Sequence, residues 1–337
     1  MRMRFPICLV SVLMLALNMA LAQSKAASVL IPLKVVAPPQ LSVAPVFIAA
    51  EEGYFAQEGI IIEFVTLTRA VTSFPSLING DLDVHVAGIG PAFFNAISRG
   101  GNLRIVAGVH TPNPKDCLSY ALVARSELIE SGKLRSAKDL VGKRVAGERS
   151  LWTPFFFEVF LAKDGLTLDD IEIIESPFPT RAEGMRKGLL DISFLSEPYL
   201  TQGLEGGGLT VWVPAYDIIP NNQITNIIFG PSLLEKSPDL GKKFLVAYLR
   251  GVAQHRQGKT LRNIEILSKT TGLSPEFLQR ACWSPPEKNG TVMVNFIRDY
   301  QAWCARNKLI DKETPMEQLW DGQFLQYAQE MIAREKH

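Results

Sequence analysis

One pattern is written twice in this chain, and it restricts the possible folds more than any other feature. A helix-length segment closes on Gly53 and Gly59, an apolar strand covers 60–65, and a second helix-length segment leads into the turn Gly80-Asp81-Leu82-Asp83, a further strand and Gly88-Ile89-Gly90-Pro91. The second copy closes on Gly165, continues in a strand over 171–174, repeats the turn as Gly188-Leu189-Leu190-Asp191 and ends in Glu197-Pro198-Tyr199. Strands that alternate with helix-length segments build parallel sheets. Two copies predict an α/β protein of two similar lobes facing a cleft, a shape suited to a small molecule.

The N-terminus bears on where such a protein works. Arg2 and Arg4 precede an apolar run over 5–16, and Ala20-Leu21-Ala22 before Gln23 has the small-x-small form of a processing site. A membrane helix needs about 20 apolar residues, so the run reads as a cleaved export signal over 1–22, with an uncleaved anchor as the alternative. Cys8 lies inside the run and not at its end, which argues against a lipid attachment point. The expected product is a soluble periplasmic protein of about 315 residues, enough for two lobes with real cores. Loss of Arg2 and Arg4 takes the formal net charge from +1 to about −1. Near neutrality argues against nucleic acid or anionic lipid as the main partner, since both demand basic surfaces. In an oxidising compartment Cys282 and Cys304 are candidates to pair, leaving Cys117 alone; the alternative is buried thiols.

Along the chain, the first lobe is expected over 34–118 together with 228–337, and the second over 119–227. A strand at 120–124 carries the chain across and one at 224–229 carries it back, and two crossings make a hinge. Ser42 and Ser237 are expected helix caps, as is Ser274 before Pro275. A helix is expected to begin at Arg181. The region from 237 onward reads as nearly all helical, with an amphipathic tail at 317–332 that packs on the first lobe.

Catalytic constellations are scarce. His85, His110 and His255 stand apart without metal-ligand spacing, and there is no CxxC, no Walker-type loop and no nucleophile elbow. No cofactor is expected. In open α/β sheets, ligands sit beyond the carboxyl ends of the strands, at helix N-termini with free N–H groups. Those points nominate Gln40, Leu41 and Ser42, Arg69, and Gly90 in the first lobe. In the second they nominate Ser150, Trp152 and Thr153, Phe178 and Arg181, and Glu197 and Tyr199.

The residues Ile48-Ala49-Ala50-Glu51-Glu52-Gly53-Tyr54-Phe55, Gly80-Asp81-Leu82-Asp83, Gly142-Lys143-Arg144-Val145-Ala146, the run 165–173 and Glu197-Pro198-Tyr199 resemble a known family. It is the periplasmic solute-binding proteins of ABC importers for nitrate, sulfonates and taurine, which share a domain with thiamine-pyrimidine precursor proteins. The resemblance covers residue 34 to about 251. It implies a two-lobed periplasmic binding protein, type II-like, that closes on its ligand as a monomer, performs no covalent chemistry and docks on an ABC permease in the inner membrane. Delivery to a membrane sensor, or a thiamine-precursor role, are the alternatives. Trp152, Phe178 and Tyr199 offer aromatic walls, while Arg69, Arg149 and Arg181 offer forks for a carboxylate or sulfonate. These suggest an organic anion larger than nitrate: a sulfonate, a taurine-like molecule or an aromatic carboxylate. Glu197 either meets a ligand amine or caps its helix. Trp152→Ala is expected to weaken binding and spare the fold.

Overall fold

The computed structural model describes residues 29–67, 70–111 and 117–335. The expected export signal over 1–22 and Arg69 lie outside the described residues. Among the described residues ten strands form two five-stranded mixed sheets. The first has the order β2-β1-β3-β10-β4, from β1 (Ile31–Val36), β2 (Ile60–Val65), β3 (Val84–Ala87), β4 (Arg104–His110) and β10 (Thr225–Phe229). The second has the order β7-β6-β8-β5-β9, from β5 (Tyr120–Arg125), β6 (Arg144–Gly147), β7 (Glu172–Glu175), β8 (Ile192–Ser196) and β9 (Leu209–Pro214).

The two orders are the same pattern. In each, three strands run parallel and the fourth is antiparallel to both neighbours: β10 between β3 and β4, and β5 between β8 and β9. The antiparallel strand is in each case the one the chain forms on crossing from the other sheet. β10 pairs with β3 and β4 from Thr225 onward, so residues 225–227, expected with the second lobe, lie in the first sheet.

The repeated Gly-x-x-Asp turn has one job in both lobes. Gly80 and Gly188 adopt φ of 80° and 68°, left-handed values that favour glycine. Each turns the chain back so that an aspartate meets the neighbouring strand. The Asp83 carboxylate accepts the Lys34 N–H at 2.8 Å, and the Asp191 carboxylate accepts the Arg144 N–H at 2.9 Å. Asp191 also receives the Arg144 guanidinium, which holds its carboxyl below the usual carboxylate range against the opposing effect of burial.

Helices α1 (Ala44–Glu51), α2 (Phe74–Asn79) and α3 (Pro91–Ser98) belong to the first lobe; α4 (Thr153–Ala162), α5 (Phe178–Arg186) and α6 (Tyr199–Glu205) belong to the second. The C-terminal region adds α7 (Pro238–His255), α8 (Leu261–Thr271), α9 (Pro275–Arg280), α10 (Val294–Arg306) and α11 (Gln323–Arg334). Ser274 caps α9 by accepting the Phe277 N–H, whereas Ser42 sits in a 3-10 turn and Ser237 precedes α7 without a side-chain capping bond. The amphipathic tail is split: a short turn over Met316–Leu319, then α11, whose Phe324, Leu325 and Ala328 join the first lobe's core.

That core packs α1 and α7 on one face of the first sheet. A second apolar cluster runs continuously through both lobes. Its bridge is α10: Tyr300 lies 5.7 Å from Phe94 of α3 and 5.5 Å from Phe155 of α4, with Trp303 5.7 Å from Phe155. Each such ring contributes about 1.5–3 kcal/mol by leaving water. The expected Cys282–Cys304 bridge is not formed. Cys282 pairs instead with Cys117, tying the first crossing segment to the end of α9, while Cys304 is a buried thiol whose pKa burial pushes up to about 12.

Candidate functional site

A cavity of about 350 Å³ opens between the sheets at the carboxyl ends of their strands. The first lobe supplies Gln40, Leu41 and Ser42 after β1, Gly88 after β3, His110 at the end of β4 and Thr225 at the start of β10. The second supplies Ser119 before β5, Glu148, Leu151 and Trp152 after β6, Phe178 after β7, and Glu197 and Tyr199 after β8. Cys282 and Ser284, from the segment following α9, complete the wall.

Seven of the twelve nominated residues therefore meet at one cavity: Gln40, Leu41, Ser42, Trp152, Phe178, Glu197 and Tyr199. Gly90 and Ser150 stand face to face across the lobes instead; a Cβ on Gly90 would lie 2.1 Å from the Ser150 carbonyl oxygen. Thr153 is the first residue of α4 and is fully buried. Arg181 is also fully buried and off the wall. Its helix begins at Phe178, three residues earlier than expected, so Arg181 falls on the inward face one turn before Met185. Its Nε donates to the Ser176 carbonyl at 2.8 Å and its Nη1 to the Phe194 carbonyl at 3.0 Å, and the guanidinium lies 3.8 Å from the Phe178 ring centroid. Arg149 is turned away as well, donating to the Ile173 carbonyl.

Trp152 is 4% exposed, its ring edge-on to Tyr120 at 4.7 Å and to Phe156 at 5.3 Å. It is part of the core as well as of the wall, so its replacement by alanine does not spare the fold. Phe178 and Tyr199 lie nearly parallel, 21° apart with centroids at 6.3 Å. Burial raises the Tyr199 hydroxyl above its ordinary pKa, keeping it a neutral donor.

Glu197 does cap its helix: it accepts the Thr201 hydroxyl at 2.7 Å and the Thr201 N–H at 3.3 Å. It also accepts the Cys282 N–H at 3.1 Å, which joins the second lobe to the disulfide segment. Burial nevertheless raises its pKa, outweighing those donors. His110 contacts the Ser119 hydroxyl at 3.2 Å across the first crossing. Burial drives its pKa down to about 4, so it presents a neutral ring. Sequence reasoning missed His110, Ser119, Glu148, Thr225, Cys282 and Ser284. Glu148 follows β6 and was within reach of the strand-end rule; the others sit on crossing segments or far along the chain.

Among the described residues no group of three or more His, Cys, Asp and Glu is placed to hold a metal ion, and no helix is long and apolar enough to cross a membrane. The arrangement is a two-lobed α/β fold with a cavity between the two sheets. The chain belongs to the NMT1/THI5-like family, whose model matches residues 40–257. The periplasmic aliphatic sulphonate binding protein SsuA from Escherichia coli superposes with a TM-score of 0.71 at 18% identity, over 86% of this chain and 92% of that one. The periplasmic nitrate-binding protein NrtA from Synechocystis PCC 6803 gives 0.72 at 13% identity, over 90% and 89%. The desulfurization enzyme DSZB gives 0.64 at 14% identity, over 90% and 99%. At these identities the likeness shows the fold, which binding proteins and an enzyme share. No curated sequence matches the chain significantly.

Proposed function

We propose that this chain is the extracytoplasmic solute-binding component of an ABC importer, exported through a cleaved signal over 1–22 and acting as a monomer on an inner-membrane permease. The observation that carries this reading is the cavity itself, whose walls come from both sheets' ends, with Gly90 of one lobe close against Ser150 of the other. A ligand gripped from both sides stabilises the closed arrangement by its differential affinity for it, and no covalent step is needed. Fold relatives that bind sulfonate and nitrate in the periplasm support the same role. The cavity lies at the small end of ligand pockets, and Trp152, Phe178 and Tyr199 give it flat walls, so the solute is a small organic molecule with an apolar or aromatic part. An arginine clamp for a sulfonate or carboxylate rests on Arg69 alone, since Arg149 and Arg181 are committed elsewhere.

The test is a thermal-shift screen of the exported protein, unfolded and refolded to strip bound solute, against sulfonates, taurine, nitrate, aromatic carboxylates, pyrimidines and amino acids. Ligand at a thousand times its Kd adds about 4 kcal/mol and raises Tm visibly. A hit that is also taken up by cells only when this chain is present supports the importer role. A flat screen, with no uptake defect on deletion, removes it.

A further inference from the structure

We infer that α10 is a clasp that keeps the two lobes together in the absence of solute, so that the protein rests closed and the cleft opens as a minority event. This goes beyond the importer reading but rests on its premise that the lobes turn about their crossings. The helix is wired to the first lobe at both ends. Before it, the Gly290 carbonyl accepts the Gly108 N–H of β4 at 2.9 Å. Gln223, just ahead of β10, donates to the Thr291 carbonyl and accepts the Met293 N–H, each at 2.9 Å. After it, Asn95 of α3 donates to the Leu309 carbonyl at 3.0 Å and accepts the Asp311 N–H at 3.1 Å, while Arg99 meets the Asp311 carboxylate at 3.0 Å. Backbone groups take part in all but the last of these, so α10 cannot slide on the first lobe without leaving donors and acceptors unpaired.

What α10 turns toward the second lobe is a row of rings. Phe155 of α4 lies 6.1 Å from Phe296, 5.5 Å from Tyr300 and 5.7 Å from Trp303, and Phe156 lies 6.3 Å from Phe296. All five side chains are buried. Beside them Asn307 donates to the Glu158 carboxylate at 3.3 Å, again from side chain to side chain. Such a face parts without breaking a backbone hydrogen bond, but parting it puts rings into water, which is unfavourable in proportion to the area exposed.

Turning the lobes apart about the crossings carries α4 away from α10, since α4 moves with the second sheet and α10 with the first. The rings therefore oppose opening whether or not solute is present, and the closed arrangement is favoured at rest. The cavity wall is part of the same packing. Phe156 also lies 5.3 Å from Trp152, so the place of the wall tryptophan and the seating of α4 on α10 are fixed together.

Small-angle scattering of the exported protein, unfolded and refolded to remove solute, tests this directly. The wild type should show the radius of the closed arrangement. Phe155→Ala should keep its circular dichroism spectrum yet widen by about 5% over the roughly 20 Å expected of a compact chain this long. Phe155→Leu, which keeps an apolar side chain in place, should widen less, and it stands in for the alanine variant if that one fails to fold. Tying α10 to α4 in the widened protein, through Glu158→Cys and Asn307→Cys joined by a short bis-maleimide, should restore the wild-type radius, a rescue that a general loss of packing would not show. A solute-free wild type wider than the closed arrangement, or Phe155 variants that lose stability without widening, overturns the clasp. The importer reading is judged apart from it, by the solute screen and by uptake.

Discussion

Gly90→Ala separates lobe closure from lobe folding. Gly90 has φ −146° and ψ −175°, extended backbone that alanine adopts without strain, so the substitution costs the first lobe little. What it meets is the other lobe: the new Cβ would lie 2.1 Å from the Ser150 carbonyl oxygen and 3.2 Å from its carbon. Those are backbone atoms, which cannot swing aside as a side chain can. Restoring an ordinary contact moves the two loops apart by more than about 1 Å, and overpacking of this kind costs about 1–3 kcal/mol. If the lobes close on a solute as proposed, the cost falls on the closed arrangement alone. At 1.4 kcal/mol per factor of ten, the closed population, and with it the apparent affinity for any solute found in the screen, falls about 5- to 150-fold. Calorimetry gives the affinity, and small-angle scattering of the liganded protein gives the expected increase in radius. Affinity for Gly90→Ala within twofold of wild type would show that ligand binding does not require these loops to meet.

Three further outcomes follow from the packing. Trp152→Ala should lower unfolding free energy by about 3–5 kcal/mol, because the indole is anchored on Tyr120 and Phe156, and Trp152→Phe should cost markedly less; equal stability of the two by urea denaturation would contradict that packing. Replacing Cys117 and Cys282 by serine frees a link spanning 165 residues and should cost about 2–5 kcal/mol, read as a lowered denaturation midpoint that reducing agent reproduces in the wild type. His85, His110 and His255 are each buried with pKa driven down to about 4, below the unfolded value near 6.5. Between those values the unfolded chain holds more protons, so stability rises with pH and is lost on acidification from about 6.5 toward 4, by up to about 3 kcal/mol per histidine. Glu197, raised by burial, opposes the trend as it protonates; denaturation midpoints unchanged between pH 7 and pH 5 would refute the histidine contribution.

The repeat was legible because its signals are local. Gly80 and Gly188 need left-handed backbone, Asp83 and Asp191 need a strand N–H within reach, and both demands appear as the same short spacing in the sequence. The strand-end rule likewise gathered Ser42, Trp152 and Tyr199 from three loops, since the pattern marks helix starts to within a few residues. Direction along a helix is harder. Placing the start of α5 three residues late turned Arg181 from an inward-facing helix residue into a loop residue, and with it a buried stacking partner into an apparent clamp. The cysteine pairing failed for another reason: Cys117 and Cys282 are neighbours only because the first crossing segment passes the end of α9, a tertiary fact with no local trace.

The same reasoning explains what the missed residues have in common. Ser119 accepts the Glu197 N–H through its carbonyl, Glu197 accepts the Cys282 N–H, and Cys282 is bonded to Cys117, so one chain of contacts ties the first crossing segment, the second lobe and the C-terminal region at the back of the cavity. His110 and Ser119 flank that segment, and Thr225 opens the strand by which the chain returns. The rear wall is therefore built largely from the connections between the two sheets, whereas the front wall is built from strand-end loops, which on the proposed importer reading meet when the lobes close. A solute that touches both is bound to the hinge and to the closing edges at once. On the proposed reading its contacts at the rear should differ little between open and closed states, while those with Trp152 and Phe178 should depend on the lobes coming together. Affinity differences among related solutes should accordingly arise at the front wall, and closure-deficient variants such as Gly90→Ala should compress those differences as well as weaken binding.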